Sequence, residues 1–98
     1  MSLAWTVAVK SKPPQFEEAV RYYTAAIALR PDSAGLRTNL GLALKDQTKL
    51  DEAIAQFREA IRLKPDDSHA HNNLGIALKE QGKLDQAMAE FREASAGP

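Results

Sequence analysis

The chain contains no cysteine, which removes disulfides, thiolate metal sites and a cysteine nucleophile together. It carries no net charge either, because 13 Lys and Arg balance 13 Asp and Glu. A protein that neutralises a broad phosphate surface needs a basic excess, so this balance argues against nucleic-acid binding. Long hydrophobic runs are missing as well. The longest strongly apolar stretch, Leu3–Val9, is far too short to span a bilayer. It also lacks the basic flank and full apolar core of a secretory signal. The expected compartment is therefore the cytoplasm. What the 98 residues do contain is 44% hydrophobic and 27% charged side chains, the composition of one small folded domain.

The organisation follows from internal repetition. Pro31 and Pro65 lie 34 positions apart, and most of their surroundings repeat with them. Asn39-Leu40-Gly41 returns as Asn73-Leu74-Gly75, Ala43-Leu44-Lys45 as Ala77-Leu78-Lys79, and Phe57-Arg58-Glu59-Ala60 as Phe91-Arg92-Glu93-Ala94. The same offset reaches back to Phe16, Ala19, Tyr23 and Ala26, which precede Leu50, Ala53, Phe57 and Ala60.

Each repeat reads as two helices. Leu36, Leu40, Ala43 and Leu44 fall on one face of the first; Leu50, Ala53, Ile54, Phe57, Ala60 and Ile61 form the stripe of the second. Asp32 or Ser33, and Asp66, Asp67 or Ser68, are placed to cap the first helices, and the two prolines stop the second ones. Alanines flanking Phe57 predict close helix approach, with the ring filling the gap. One such pair cannot bury its own stripe and must stack on neighbours. The expected fold is all-α, an α-solenoid of antiparallel helix pairs with about two and a half repeats of 34 residues. The half repeat covers 14–33 and the full repeats 34–67 and 68–98, after an N-terminal arm at 1–13.

These residues resemble the tetratricopeptide repeat family, whose motif places Leu-Gly, a large apolar residue, Ala, an aromatic, Ala and Pro at fixed offsets. The corresponding residues are Leu40-Gly41, Leu44, Ala53, Phe57, Ala60 and Pro65, then Leu74-Gly75, Leu78, Ala87, Phe91 and Ala94. The first aromatic position of that motif is not matched and holds Arg37 and His71.

Other positions break the pattern. Gly82 closes the last intra-repeat turn where a left-handed residue is expected, and its counterpart is Thr48. Within the arm, Leu3, Trp5, Val7 and Val9 alternate with Ala4, Thr6, Ala8 and Lys10, a period of two that favours an extended segment. The stripe of the last helix, with Ala87, Met88, Phe91 and Ala94, has no following helix in the sequence. Either further repeats or another chain is expected to cover it.

No catalytic constellation emerges, and no enzyme, metal or cofactor is expected. His69 and His71 are two apart, so on a helix they point about 200° away from one another; both read as polar surface residues beside a cap. Gly82-Lys83 lacks the glycine-rich loop of a phosphate cradle.

The family resemblance implies that first helices line a concave surface. By motif position, the inner residues include Thr38, Asn39, Leu42 and Lys45, with Asn72, Asn73, Ile76 and Lys79 one repeat later. An amide offers both donors and an acceptor, so Asn39 and Asn73 stacked in a row suit the backbone of an extended peptide. This style is similar to the repeats of O-linked N-acetylglucosamine transferases, most closely over Leu74–Leu84. Members that hold a terminal carboxylate need a cluster of basic residues, and His69 and Asn73 stand where two of these belong. The expected function is binding of a protein or peptide segment, with Lys45, Lys79, Leu42 and Ile76 giving selectivity. The alternatives are a self-associating unit pairing through Met88, Phe91, Ala87 and Trp5 into a homo-oligomer, or the targeting arm of a larger enzyme such as a glycosyltransferase. No nucleic-acid or membrane partner is expected.

Overall fold

A computed structural model of the chain describes residues 15–96; the arm at 1–13, with Trp5, lies outside them. The described residues form five helices and no strand: α1 (Gln15–Leu29), α2 (Ala34–Asp46), α3 (Leu50–Leu63), α4 (Ser68–Glu80) and α5 (Leu84–Ala96). The most extensive packing is within each repeat, α2 on α3 and α4 on α5, while α1 on α2 and α3 on α4 join successive units. This is the stacked helix-pair architecture expected from the repeat.

Capping explains where the first helices begin. Ser33 is extended, and its hydroxyl accepts a hydrogen bond from the Leu36 N–H at 3.1 Å. One repeat on, Asp67 accepts from the N–H groups of His69 (3.0 Å) and Ala70 (3.4 Å). Each satisfies amides that an α-helix leaves unpaired at its start. The second helix of the middle repeat has no side-chain cap at Lys49, but Asp51 and Glu52 place negative charge in its first turn.

The turns within the repeats are Schellman motifs. In the first, the Lys49 N–H reaches the Leu44 carbonyl (2.9 Å) and the Thr48 N–H reaches that of Lys45 (2.8 Å). Lys83 and Gly82 repeat these bonds to Leu78 and Lys79. Both motifs need one residue in the left-handed region, and they have it: Gly82 at φ 84° and Thr48 at φ 62°. A β-branched residue is strained there.

The core lies along the helix seams. Ala53, Phe57, Ala60, Ala70, Leu74, Ala77, Leu78 and Ala87 are almost completely buried. Gly41 explains how Phe57 fits among them. A Cβ on Gly41 would lie 2.5 Å from Phe57 Cε1, and one on Gly75 would lie 2.6 Å from Phe91 Cε1. The aromatic rings thus rest on the bare backbone of the facing helix. The two sites differ in cover, since Phe57 is fully enclosed whereas Phe91 keeps some exposure.

Gly41→Ala should destabilise the protein, because an overpacking cost of about 1–3 kcal/mol exceeds the roughly 0.8–1 kcal/mol that alanine contributes to a helix. Gly75→Ala should cost clearly less, since the Phe91 ring can move outward. Urea midpoints of the two variants check the ranking, and equal losses would refute it. Thr48→Gly should stabilise by about 1 kcal/mol by relieving the left-handed strain; an unchanged or lowered midpoint would contradict that account of the turn.

Candidate functional site

The first helices place their inner side chains around a hollow of about 320 Å³ whose lining includes Thr38, Asn39 and Leu42 from α2, and Asp67, His69 and Asn73 from the start of α4. Asn39 is exposed and Asn73 half-buried, so both amides flank one concavity, as their 34-residue spacing implies. A second hollow of about 300 Å³ lies on the other side of the same α2 residues. Asn39 and Leu42 border it again, with Asp46 and with Phe16, Ala19 and Tyr23 of α1. Asn39 and Leu42 therefore border two hollows, one toward α1 and one toward α4.

The remaining predicted groove residues divide. Thr38 is only 8% exposed; its hydroxyl oxygen is sealed from solvent and has no hydrogen-bond partner among the described residues. It forms the floor and is not an accessible contact, because the following repeat covers it. Its counterpart Asn72 belongs to the last first helix and is exposed. Asn72, Ile76, Lys45 and Lys79 do not line the hollow between the asparagines. Lys79 is exposed, and Lys45 and Ile76 are half-buried.

The residues expected at a self-association face also divide. Met88 is 55% exposed and Phe91 half-buried, and with Arg92, Ser95 and Ala96 they line an apolar hollow of about 600 Å³ on α5. Ala87 does not belong to that surface. It is 1% exposed and packs inward in the core, as its counterpart Ala53 does.

The unmatched aromatic position reveals a polar device not anticipated from the sequence. In the middle repeat, Arg37 Nη1 donates to Gln56 Oε1 (3.3 Å). In the last repeat, the equivalent His71 pairs through Nδ1 with Glu90 Oε1 (2.7 Å), and Nε2 donates to the Pro65 carbonyl (2.9 Å). Both pairs link the first helix of a repeat to its second, 19 residues on. His71 is therefore buried, contrary to its reading as a surface residue, while His69 is exposed and faces the groove. The signal was available in the equal spacing of Arg37 to Gln56 and His71 to Glu90. No three His, Asp or Glu side chains gather as metal ligands among the described residues. No described helix is long and apolar enough to cross a membrane.

Burial of the His71 ring disfavours its charge, but the Glu90 bond, the Pro65 carbonyl and the charges of Glu90 and Glu93 together outweigh that and raise its pKa. The geometry agrees, since both ring nitrogens meet acceptors and only the imidazolium donates to both.

Comparison with known proteins fits this geometry. The tetratricopeptide repeat family model matches residues 15–47 and 38–98, so the chain belongs to the tetratricopeptide repeat family. Among solved structures it is similar to MamA residues 41 to the end from Desulfovibrio magneticus RS-1 (25% identity, TM-score 0.80), covering 83% of this chain and 46% of that one. It is also similar to another MamA crystal structure (28% identity, TM-score 0.79, 83% and 47% covered). MamA of MSR-1 is a further relative (26% identity, TM-score 0.78, 83% and 47% covered). The chain thus spans about half the length of these relatives. No curated protein matches it by sequence. Membership of this family makes the chain a protein-interaction repeat module.

Raised above the ordinary histidine value of 6.5, the pKa of His71 makes a signed prediction. Its contribution to stability is complete below pH 6.5 and is lost as pH rises through the folded-state value. Urea midpoints across this range should fall with pH in the wild type, and the fall should be smaller in His71→Gln. Parallel profiles for the two would exclude the pair as the cause.

Proposed function

We propose that the module binds an extended protein or peptide segment along the inner surface, with Asn39 and Asn73 pairing with the ligand backbone. The observation that carries this reading is that the two repeat-related amides border one hollow while remaining accessible. A peptide bond presents one donor and one acceptor, and a side-chain amide can meet both. Leu42 offers an apolar contact in the same hollow, and Ile76, Lys45 and Lys79 add selectivity. Thr38 and Asn72 contribute less, one as floor and the other on the uncovered end. The partner is taken to be a protein, with no nucleic acid, membrane or catalysis of its own, in a cytoplasmic setting.

The resemblance read from Leu74–Leu84 to transferase repeats suggests the same mode of backbone recognition; a targeting arm of a larger enzyme is a further alternative that only a longer reading frame would test. The exposed Met88 and the partly exposed Phe91 favour a second reading, pairing of two copies through α5.

The test is affinity for peptides selected from a displayed random library on the purified chain. Asn39→Ala with Asn73→Ala should weaken them roughly tenfold or more, at about 1 kcal/mol per lost hydrogen bond, with unchanged far-ultraviolet circular dichroism. Undiminished affinity would remove the amide ladder. If Met88→Arg with Phe91→Ser alone abolished a dimer seen by light scattering, pairing of copies would take precedence.

A further inference from the structure

The open face of α5 does not copy the face on which a repeat stacks. Where α4 covers α3, Ile54 is buried and Ile61 packs against the core. At the same places α5 carries Met88 and Ser95. A helix stacked on α5 as α4 is on α3 would meet a hydroxyl in place of an isoleucine, and burying that group without a partner is costly.

The side chains around Met88 have an order of their own. At 3.6 residues per turn, Asp85 and Arg92 lie roughly 40–60° to one side of Met88, and Leu84 and Phe91 lie as far to the other. Asp85 and Arg92 are both exposed. Neither is in an ion pair among the described residues, whose salt bridges are Glu59–Arg62 and His71–Glu90. On the opposite flank Leu84 is 56% exposed and Phe91 is half-buried. One flank is thus charged with both signs and the other is apolar, with Met88 between them.

We infer that two copies of the chain pair through α5 in antiparallel orientation, with reciprocal Asp85–Arg92 ion pairs along one flank and Leu84–Phe91 contacts along the other. A twofold axis at Met88 reverses the helix direction and sets each flank against the same flank of the second copy. Asp85 and Leu84 stand three and four positions before Met88; Arg92 and Phe91 stand four and three positions after it. Each therefore meets its counterpart within one residue of the same height, and each contact occurs twice, as an isologous interface requires. A parallel pair would instead set Asp85 level with Asp85 of the second copy, and Arg92 with Arg92. This match of a surface with itself selects a second copy as the occupant. Exposed ion pairs add little affinity, so they fix the orientation while Met88, Leu84 and Phe91 supply the buried apolar area.

The face on α5 shares no residue with the hollow between Asn39 and Asn73, so the dimer presents two such hollows. The arrangement rests on the pairing through α5 raised above and is independent of peptide binding. Sedimentation equilibrium of the full chain over a hundredfold dilution should show a reversible monomer–dimer equilibrium. Asp85→Lys and Arg92→Glu should each weaken it roughly tenfold or more, because each sets like charges together twice, while circular dichroism stays helical. An equimolar mixture of the two variants should dimerise as the wild type does, since both exchanges in the mixed dimer again join opposite charges. A monomer at every concentration overturns the inference together with pairing through α5. A dimer that neither reversal weakens, or that the mixture fails to restore, overturns the antiparallel arrangement; Met88→Arg, which disrupts any dimer through α5, then decides whether that pairing survives.

Discussion

The contact of a phenylalanine ring with a glycine backbone organises this molecule. Phe57 reaches the surface of α2 only because Gly41 has no side chain, and the same arrangement joins Phe91 to Gly75. Small residues on the second helices complete the approach, with Ala53 and Ala60 fully buried beside Phe57. Two helices brought this near leave their remaining apolar residues along a shared edge, and that edge is what the next repeat covers. Closeness within a repeat therefore creates the surface for stacking between repeats.

The inner surface is a consequence of that stacking. Capping by Ser33 and Asp67 starts the first helices at equivalent points, and the two Schellman turns return the chain at equivalent points. Side chains 34 residues apart then occur at the same height on adjacent helices, which is why Asn39 and Asn73 share a hollow. Asp67 serves twice, as the cap of α4 and as part of the hollow's wall. The turn between the helices shows the opposite economy: Thr48 takes the left-handed conformation that glycine supplies at position 82, so the local geometry is imposed by the repeat at the cost of strain.

Polar pairs replace the aromatic residue that the family motif places on the first helix. Arg37 with Gln56 and His71 with Glu90 connect the helices of a repeat by hydrogen bonds, where a ring would connect them by packing. A further bond, from Gln81 Nε2 to Asp51 Oδ1 at 2.6 Å, ties α4 to α3 across the repeat boundary. Such bonds are directional and, in the case of His71, titratable. The last repeat therefore responds to proton concentration in a way that purely apolar stacking would not.

The choice of Ser33 and Asp67 as caps came from the structure, whereas the sequence alone determined the helix pairs, the short list of capping candidates, the left-handed position at Thr48 and the identity of the core stripe. Each of these rests on local geometry or on a period that one strand of text displays, and the 34-residue offset extends them along the chain. Tertiary structure decided what depends on which face a neighbour covers. Thr38 and Asn72 occupy one motif position, yet one is buried and the other exposed, because only α2 has a further repeat stacked on it. Ala87 lies in the stripe with Met88 but turns inward, and His71 lies two residues from His69 but points into the repeat. Phe16 and Tyr23 share a hollow with Asn39 and Leu42 because α1 packs beside α2. Helical periodicity specifies the direction of a side chain around its own axis; only the packing of one helix on another specifies whether that direction ends in protein or in solvent.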